Sequence, residues 1–154
     1  MTLIANGDQN ASGTTIANDG FFPDINSARM RAAMRLDSAI SDERLTESIV
    51  AAMLSVNHEL ASYAMNAQAN GYSNLKAVPD SPINGTTRPI WLYRRAVYCT
   101  AAAELTEHYR SYDASGKGLD EAEVLSYSID EYRRDARWAI RDLLGAPRST
   151  VDLL

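Results

Sequence analysis

The sequence predicts an all-α fold, an elongated bundle of about four helices with a flexible arm before it and an extended tail after it. Three observations carry that prediction. Apolar residues recur at three-and-four spacing over several long stretches, helix caps and stops fall at the ends of those stretches, and no stretch alternates as a half-buried strand does. The 154 residues are 45% hydrophobic and 23% charged, enough for one core and too few for two domains.

Residues 1–20 read as a mobile N-terminal arm. They hold Gly7, Gly13 and Gly20 with Asn6, Asn10 and Asn18, and Leu3, Ile4 and Ile16 are too few to bury a face. Residues 21–145 form the helical body. It opens on Phe21-Phe22-Pro23-Asp24-Ile25, where two aromatics and an isoleucine around a proline predict a plug, with Phe21, Phe22 and Ile25 anchoring an extended segment on the core. Asn26 or Ser27 caps a short helix running to about Asp37, with Met30, Ala33, Met34 and Leu36 on one side.

A second helix is capped by Ser41, carries Asp42 and Glu43 in its first turn, and has Ile40 and Leu45 placed as a hydrophobic staple. Leu45, Ile49, Met53, Val56, Leu60, Ala64 and Ala67 continue its stripe to a stop at Asn70-Gly71. A helix over 42–70 would be about 43 Å long, against about 40 Å for the diameter of a compact chain of this size, which argues for elongation. Residues 72–88 are a linker broken by Pro79, Pro82 and Asn84-Gly85. A third helix from Pro89 to Tyr112 carries the stripe Trp91, Tyr98, Ala102, Leu105, Tyr109 and Tyr112, flanked by Val97 and Ala101. After a loop over Asp113 to Gly118, a fourth helix starts near Asp120. Ala122, Leu125, Ile129, Tyr132, Ala136, Ile140 and Leu143 repeat along it until Gly145 and Pro147 stop it. Residues 146–154 remain as a C-terminal tail.

Charge and motif content weigh against several functions. The net charge of −5 disfavours a binder that neutralises phosphates. No apolar run approaches the roughly 18 residues of a membrane span, and no basic-then-apolar leader stands at the start, so a soluble intracellular protein without a membrane partner is expected. Asp113 to Gly118 resembles the start of a calcium loop, but its fifth and twelfth positions are Lys117 and Val124. His58-Glu59 lacks the second histidine of a zincin helix, since Ser62 stands four residues on. Cys99 has no histidine at helical spacing and reads as a core residue. No catalytic residue, metal site or cofactor site is expected.

Thirteen of the 15 basic residues are arginine, a bias that suits interfaces pairing with carboxylates. Arg133, Arg137 and Arg141 stand four apart on the fourth helix and form one ridge, with Trp138 beside it. Arginines around a tryptophan have the composition of an interface hot spot, so these four residues are the candidate subunit interface. Local ion pairs on a solvated face are the simpler alternative.

Several segments together resemble the head completion proteins of contractile-tailed temperate phages, the GPL family. They begin with Phe21-Phe22-Pro23-Asp24-Ile25, Arg29, Arg31 and Met34-Arg35-Leu36, followed by Gly71-Tyr72, Leu75 and Val78-Pro79. Arg95-Ala96-Val97, Leu105, Glu107, Tyr109-Arg110, Asp113-Ala114-Ser115 and Lys117-Gly118 come next. Ile129-Asp130-Glu131, Arg134-Asp135, Arg137-Trp138-Ala139 and Gly145-x-Pro147-Arg148 complete a resemblance over 21–154. It implies a neck component of the virion, assembled in the host cytoplasm. Such a protein forms a homo-oligomeric ring, a dodecamer, on the portal protein after DNA packaging. It helps to retain the genome and offers a surface to the next neck or tail-terminator protein and to the capsid, while DNA passes through without sequence-specific binding. In related adaptors a C-terminal segment embraces the portal, which makes Pro147, Arg148, Val151, Leu153 and Leu154 the candidate portal interface. The competing expectation is a small helical DNA-binding regulator, for which the acidic balance and the long second helix are poor fits.

Overall fold

The structure, a computed structural model, describes residues 13–113 and 119–147, of which 110–113 and 119–128 by their helical backbone. It is mostly helical, with four two-residue strands that alternation could not reveal. Strand β1 (Thr15–Ile16) pairs antiparallel with β2 (Ile25–Asn26), and β3 (Pro82–Ile83) pairs antiparallel with β4 (Thr86–Thr87). Among the described residues the helices are α1 (Ser27–Ala33), α2 (Asp42–Glu59), α3 (Ala61–Ala69), α4 (Arg88–Asp113) and α5 (Leu119–Leu144), with one 3₁₀ turn at Leu75–Ala77. Helix α4 is the central element, packing along α5 on one side and against α2 on another.

Of the expected arm, residues 1–12 lie outside the described residues, and 13–20 belong to the folded body. Ile16 is buried, and the Ser27 amide donates to the Thr14 carbonyl at 3.0 Å. Gly13 passes so close to α1 that a Cβ there would meet the Ala28 Cβ at 2.5 Å. Helix α1 is also shorter than its stripe suggests. Asn26 caps it through the Arg29 amide at 2.9 Å, and it ends at Ala33 because Arg35 takes a left-handed φ of 51°. The Leu36 amide then donates to the Arg31 carbonyl and the Arg35 amide to that of Ala32, a Schellman ending built without glycine.

Ser41 caps α2 through the Arg44 amide, and the staple residues Ile40 and Leu45 are both buried. The single helix expected over 42–70 is two, bent at Leu60, where φ −95° and ψ 8° leave helical values. The Leu60 amide still reaches Val56 and the Ala64 amide still reaches Leu60, so the apolar stripe keeps its phase through the bend. With the helix divided, the length argument for elongation falls away. Helix α3 stops at Gly71 (φ 93°) in a second Schellman ending, the Tyr72 amide bonding to the Ala67 carbonyl.

The linker is ordered by a hairpin whose turn residues Asn84 and Gly85 both have positive φ, 51° and 73°, the primed turn that matches strand twist. In α4 the buried residues include Ile90, Tyr93, Ala96, Val97, Ala101, Ala102 and Leu105, while Trp91, expected in the core, is 39% exposed. In α5 the stripe holds where side chains are described, with Ile129, Ala136, Ile140 and Leu143 buried.

Candidate interaction surface

The anchor segment is fixed by a polar network over an aromatic stack. The rings of Phe22 and Tyr93 stack 4.7 Å apart, and Phe21 meets Phe22 edge-on at 5.0 Å. Ile25 is 1% exposed. Above the stack, Asn18 Nδ2 donates to the Tyr93 hydroxyl at 2.7 Å and the hydroxyl donates to Asn57 Oδ1 at 2.6 Å. Asn57 Nδ2 closes the triangle on Asn18 Oδ1 at 2.8 Å. Burial drives the Tyr93 phenol far above its ordinary pKa, so it stays a neutral donor. Asp19 Oδ1 accepts from the amides of Phe21 and Phe22, and the Leu75 amide donates to the Phe21 carbonyl at 2.8 Å. The triangle ties the N-terminal segment to α2 and α4, and every polar atom in it is used within the chain.

Of the arginine ridge on α5, Arg133 reaches across to α4. Arg133 Nη2 lies 2.6 Å from Glu107 Oε2 of α4. Asp135 takes Arg95 Nη2 from α4 at 2.9 Å and Arg134 Nη2 at 3.1 Å. Arg141 Nη1 donates to the Pro147 carbonyl at 3.2 Å, bracing the turn in which Gly145 (φ 68°) ends the helix. Arg137 is exposed and has no ion-pair partner among the described residues. Trp138 is half-buried, and the Arg134 guanidinium covers its ring at 4.7 Å from the centroid. The tryptophan therefore meets its arginine inside the chain. Of the candidate portal residues, Pro147 is exposed at the end of α5, and Arg148, Val151, Leu153 and Leu154 lie outside the described residues.

A surface that sequence reasoning missed lies along α4 and takes in the Arg95–Asp135 pair and Tyr132 of α5. An open groove of about 1230 Å³ runs between α1, the Phe21–Pro23 segment, the β3–β4 hairpin and α4. Trp91 forms one wall, its Nε1 donating to the Ile83 carbonyl at 2.8 Å so that the indole is held upright against the hairpin. Arg29, Lys76, Arg94 and Arg95 line it against one carboxylate, Asp135. Burial raises the Tyr98 phenol pKa, and the guanidinium groups of Arg94 and Arg29 work against that rise, which places both cations near its hydroxyl. The available signal was the spacing of Trp91, Arg94, Arg95 and Tyr98 on one helix face, which the core-stripe reading absorbed.

Cys99 lies at the groove floor, 5% exposed, and burial pushes its thiol up to about 11. Among the described residues no group of three or more His, Cys, Asp or Glu side chains could hold a metal ion. No described helix is long and apolar enough to cross a membrane.

A family model described as phage head completion protein (GPL) matches residues 16–154. The chain is 41% identical over 136 residues to the "Head completion/stabilization protein" of Escherichia phage P2, covering 88% of this chain and 80% of that protein. It is 27% identical over 146 residues to the "Probable head completion/stabilization protein" of Haemophilus phage HP1 (strain HP1c1), covering 95% and 96%. No solved structure matches it.

Proposed function

This chain belongs to the phage head completion protein (GPL) family, and from that premise we propose that it acts as a structural connector at the neck of the virion. In this reading copies of the chain form a ring on the portal vertex after packaging, help to retain the genome and present a docking surface to the next neck or tail protein. No substrate is turned over.

The observation that carries the reading is the family match itself, which spans residues 16–154. The structure supplies surfaces suited to the role. Leu144 is 46% exposed, and Arg137 and Pro147 are exposed toward the same end of α5. That end leads directly into Arg148, Val151, Leu153 and Leu154, the residues assigned to the portal. Each aliphatic side chain buried on a partner is worth roughly 1.5–3 kcal/mol before ordering costs, and a ring multiplies such modest contacts by avidity.

Deleting residues 148–154 tests the tail assignment and spares the Arg141–Pro147 brace. The truncated protein keeps its helical circular dichroism and melting temperature but fails to restore stable, tail-competent heads to a phage lacking the full chain. Full restoration by the truncated protein would overturn the assignment.

A further inference from the structure

The groove beside α4 combines an aromatic wall with an excess of positive charge. Trp91 is 39% exposed there although its polar atom is already satisfied by the hairpin, so what it offers outward is apolar surface. Arg94 and Lys76 contribute charge next to it, and Met34 contributes a half-buried apolar side chain. In a chain of net charge −5 this local excess of cations stands out. The chemistry that fits is a segment carrying carboxylates at one end and aliphatic side chains at the other. DNA would use the cations and leave the indole and methionine unpaired with anything apolar.

The outer face of α2 has that composition. Glu43, Glu47, Val50 and Leu54 follow each other at spacings of four, three and four, so they fall within about 60° of helix arc. Both glutamates are exposed, Val50 is 38% exposed and Leu54 68%. Met65, further along on α3, is 69% exposed. The opposite face of α2, with Leu45, Ile49, Ala52 and Val56, is buried. The stripe therefore points away from the core, and no α2 residue lines the groove.

We propose that the groove formed by Trp91, Arg94, Lys76 and Met34 is the seat for the Glu43–Glu47–Val50–Leu54 face of α2 on a neighbouring copy of this chain. The glutamates meet Arg94 and Lys76, and Val50 and Leu54 pack on Trp91 and Met34, a helix-in-groove contact. Groove and stripe are different surfaces of one molecule, so the contact is head to tail, the geometry that closes into a ring when the rotation permits. The inference rests on the connector reading above and specifies the contact between its subunits.

The test is cross-linking inside assembled particles. In a Cys99→Ala background, Leu54→Cys places a thiol on the stripe and Lys76→Cys one on the groove rim, and a short bismaleimide joins thiols that lie side by side. Particles carrying both substitutions are expected to yield a ladder of covalently joined copies of this chain on a denaturing gel. Either substitution alone should yield none. Normal incorporation without a ladder overturns the contact, as does attachment of the Lys76→Cys position to a different protein. Absence of the unsubstituted chain from particles defeats the connector reading itself, which separates the two failures. A charge exchange guards against misfolded cysteine variants. Arg94→Glu and Glu47→Arg should each abolish assembly, and combining them in one chain should restore it; no restoration by the exchange contradicts the pairing.

Discussion

Tyr93 and Arg94 are neighbours in the chain and opposites in use. Tyr93 is fully buried, its ring stacked on Phe22 and its hydroxyl shared between Asn18 and Asn57. Arg94, one residue on, lines an open groove with an exposed tryptophan three residues behind it. On the inward face polar groups are satisfied within the chain, so their worth is stability. On the outward face charge and apolar surface are left available, and the proposed contact with a neighbouring copy uses them.

The largest expected effect is on the inward face. Tyr93→Ala removes a stacked ring and should cost about 3–5 kcal/mol. Tyr93→Phe keeps the ring but leaves Asn57 Oδ1 without its donor, and should cost about 1–3 kcal/mol. Arg94→Ala should change stability by no more than about 0.5 kcal/mol, the range of an ordinary surface substitution. Denaturant unfolding of the three variants measures the contrast, and an Arg94→Ala loss equal to that of Tyr93→Phe would erase it.

A smaller effect is read by pH. Burial holds the Cys99 thiol at about 11, above its ordinary 9.0, so the unfolded chain gives up this proton first as pH rises. Below 9 the contribution of Cys99 to stability is complete, and it is lost progressively from 9 up to about 11. Tyr93 and Tyr98, also raised by burial, join from about 10 upward. Melting temperature followed between pH 8 and 10 should therefore decline in the wild type from about pH 9 and stay level to about pH 10 in Cys99→Ala.

The features legible in the sequence were those decided locally. Ser41 with Ile40 and Leu45 marks the start of α2 by side-chain chemistry alone, and Gly71 and Gly145 mark helix ends because a left-handed residue is needed there. Phe21, Phe22 and Ile25 are buried because nothing else in that segment is apolar enough. What escaped was decided by tertiary partners. The bend at Leu60 leaves the apolar period unbroken, so periodicity does not register it. Residues 13–20 look like an arm because Asn18 and Asp19 are polar, and only Tyr93 and Asn57, distant in sequence, reveal what they bond. Trp91 stands on the stripe yet is exposed, while Tyr93, off it, is buried, because α4 packs on two sides and one stripe cannot say which residues the second side takes in. The ridge of Arg133, Arg137 and Arg141 was visible as a pattern, but Glu107, which takes Arg133, sits on another helix.

The central claim is that this chain works by occupying a place in the particle. A density map of the head–tail junction of intact virions tests it most directly. The account predicts a ring of copies of this fold seated on the portal, each copy's α5 end directed toward the portal. A junction without this chain, in particles that are stable and infectious, would contradict it.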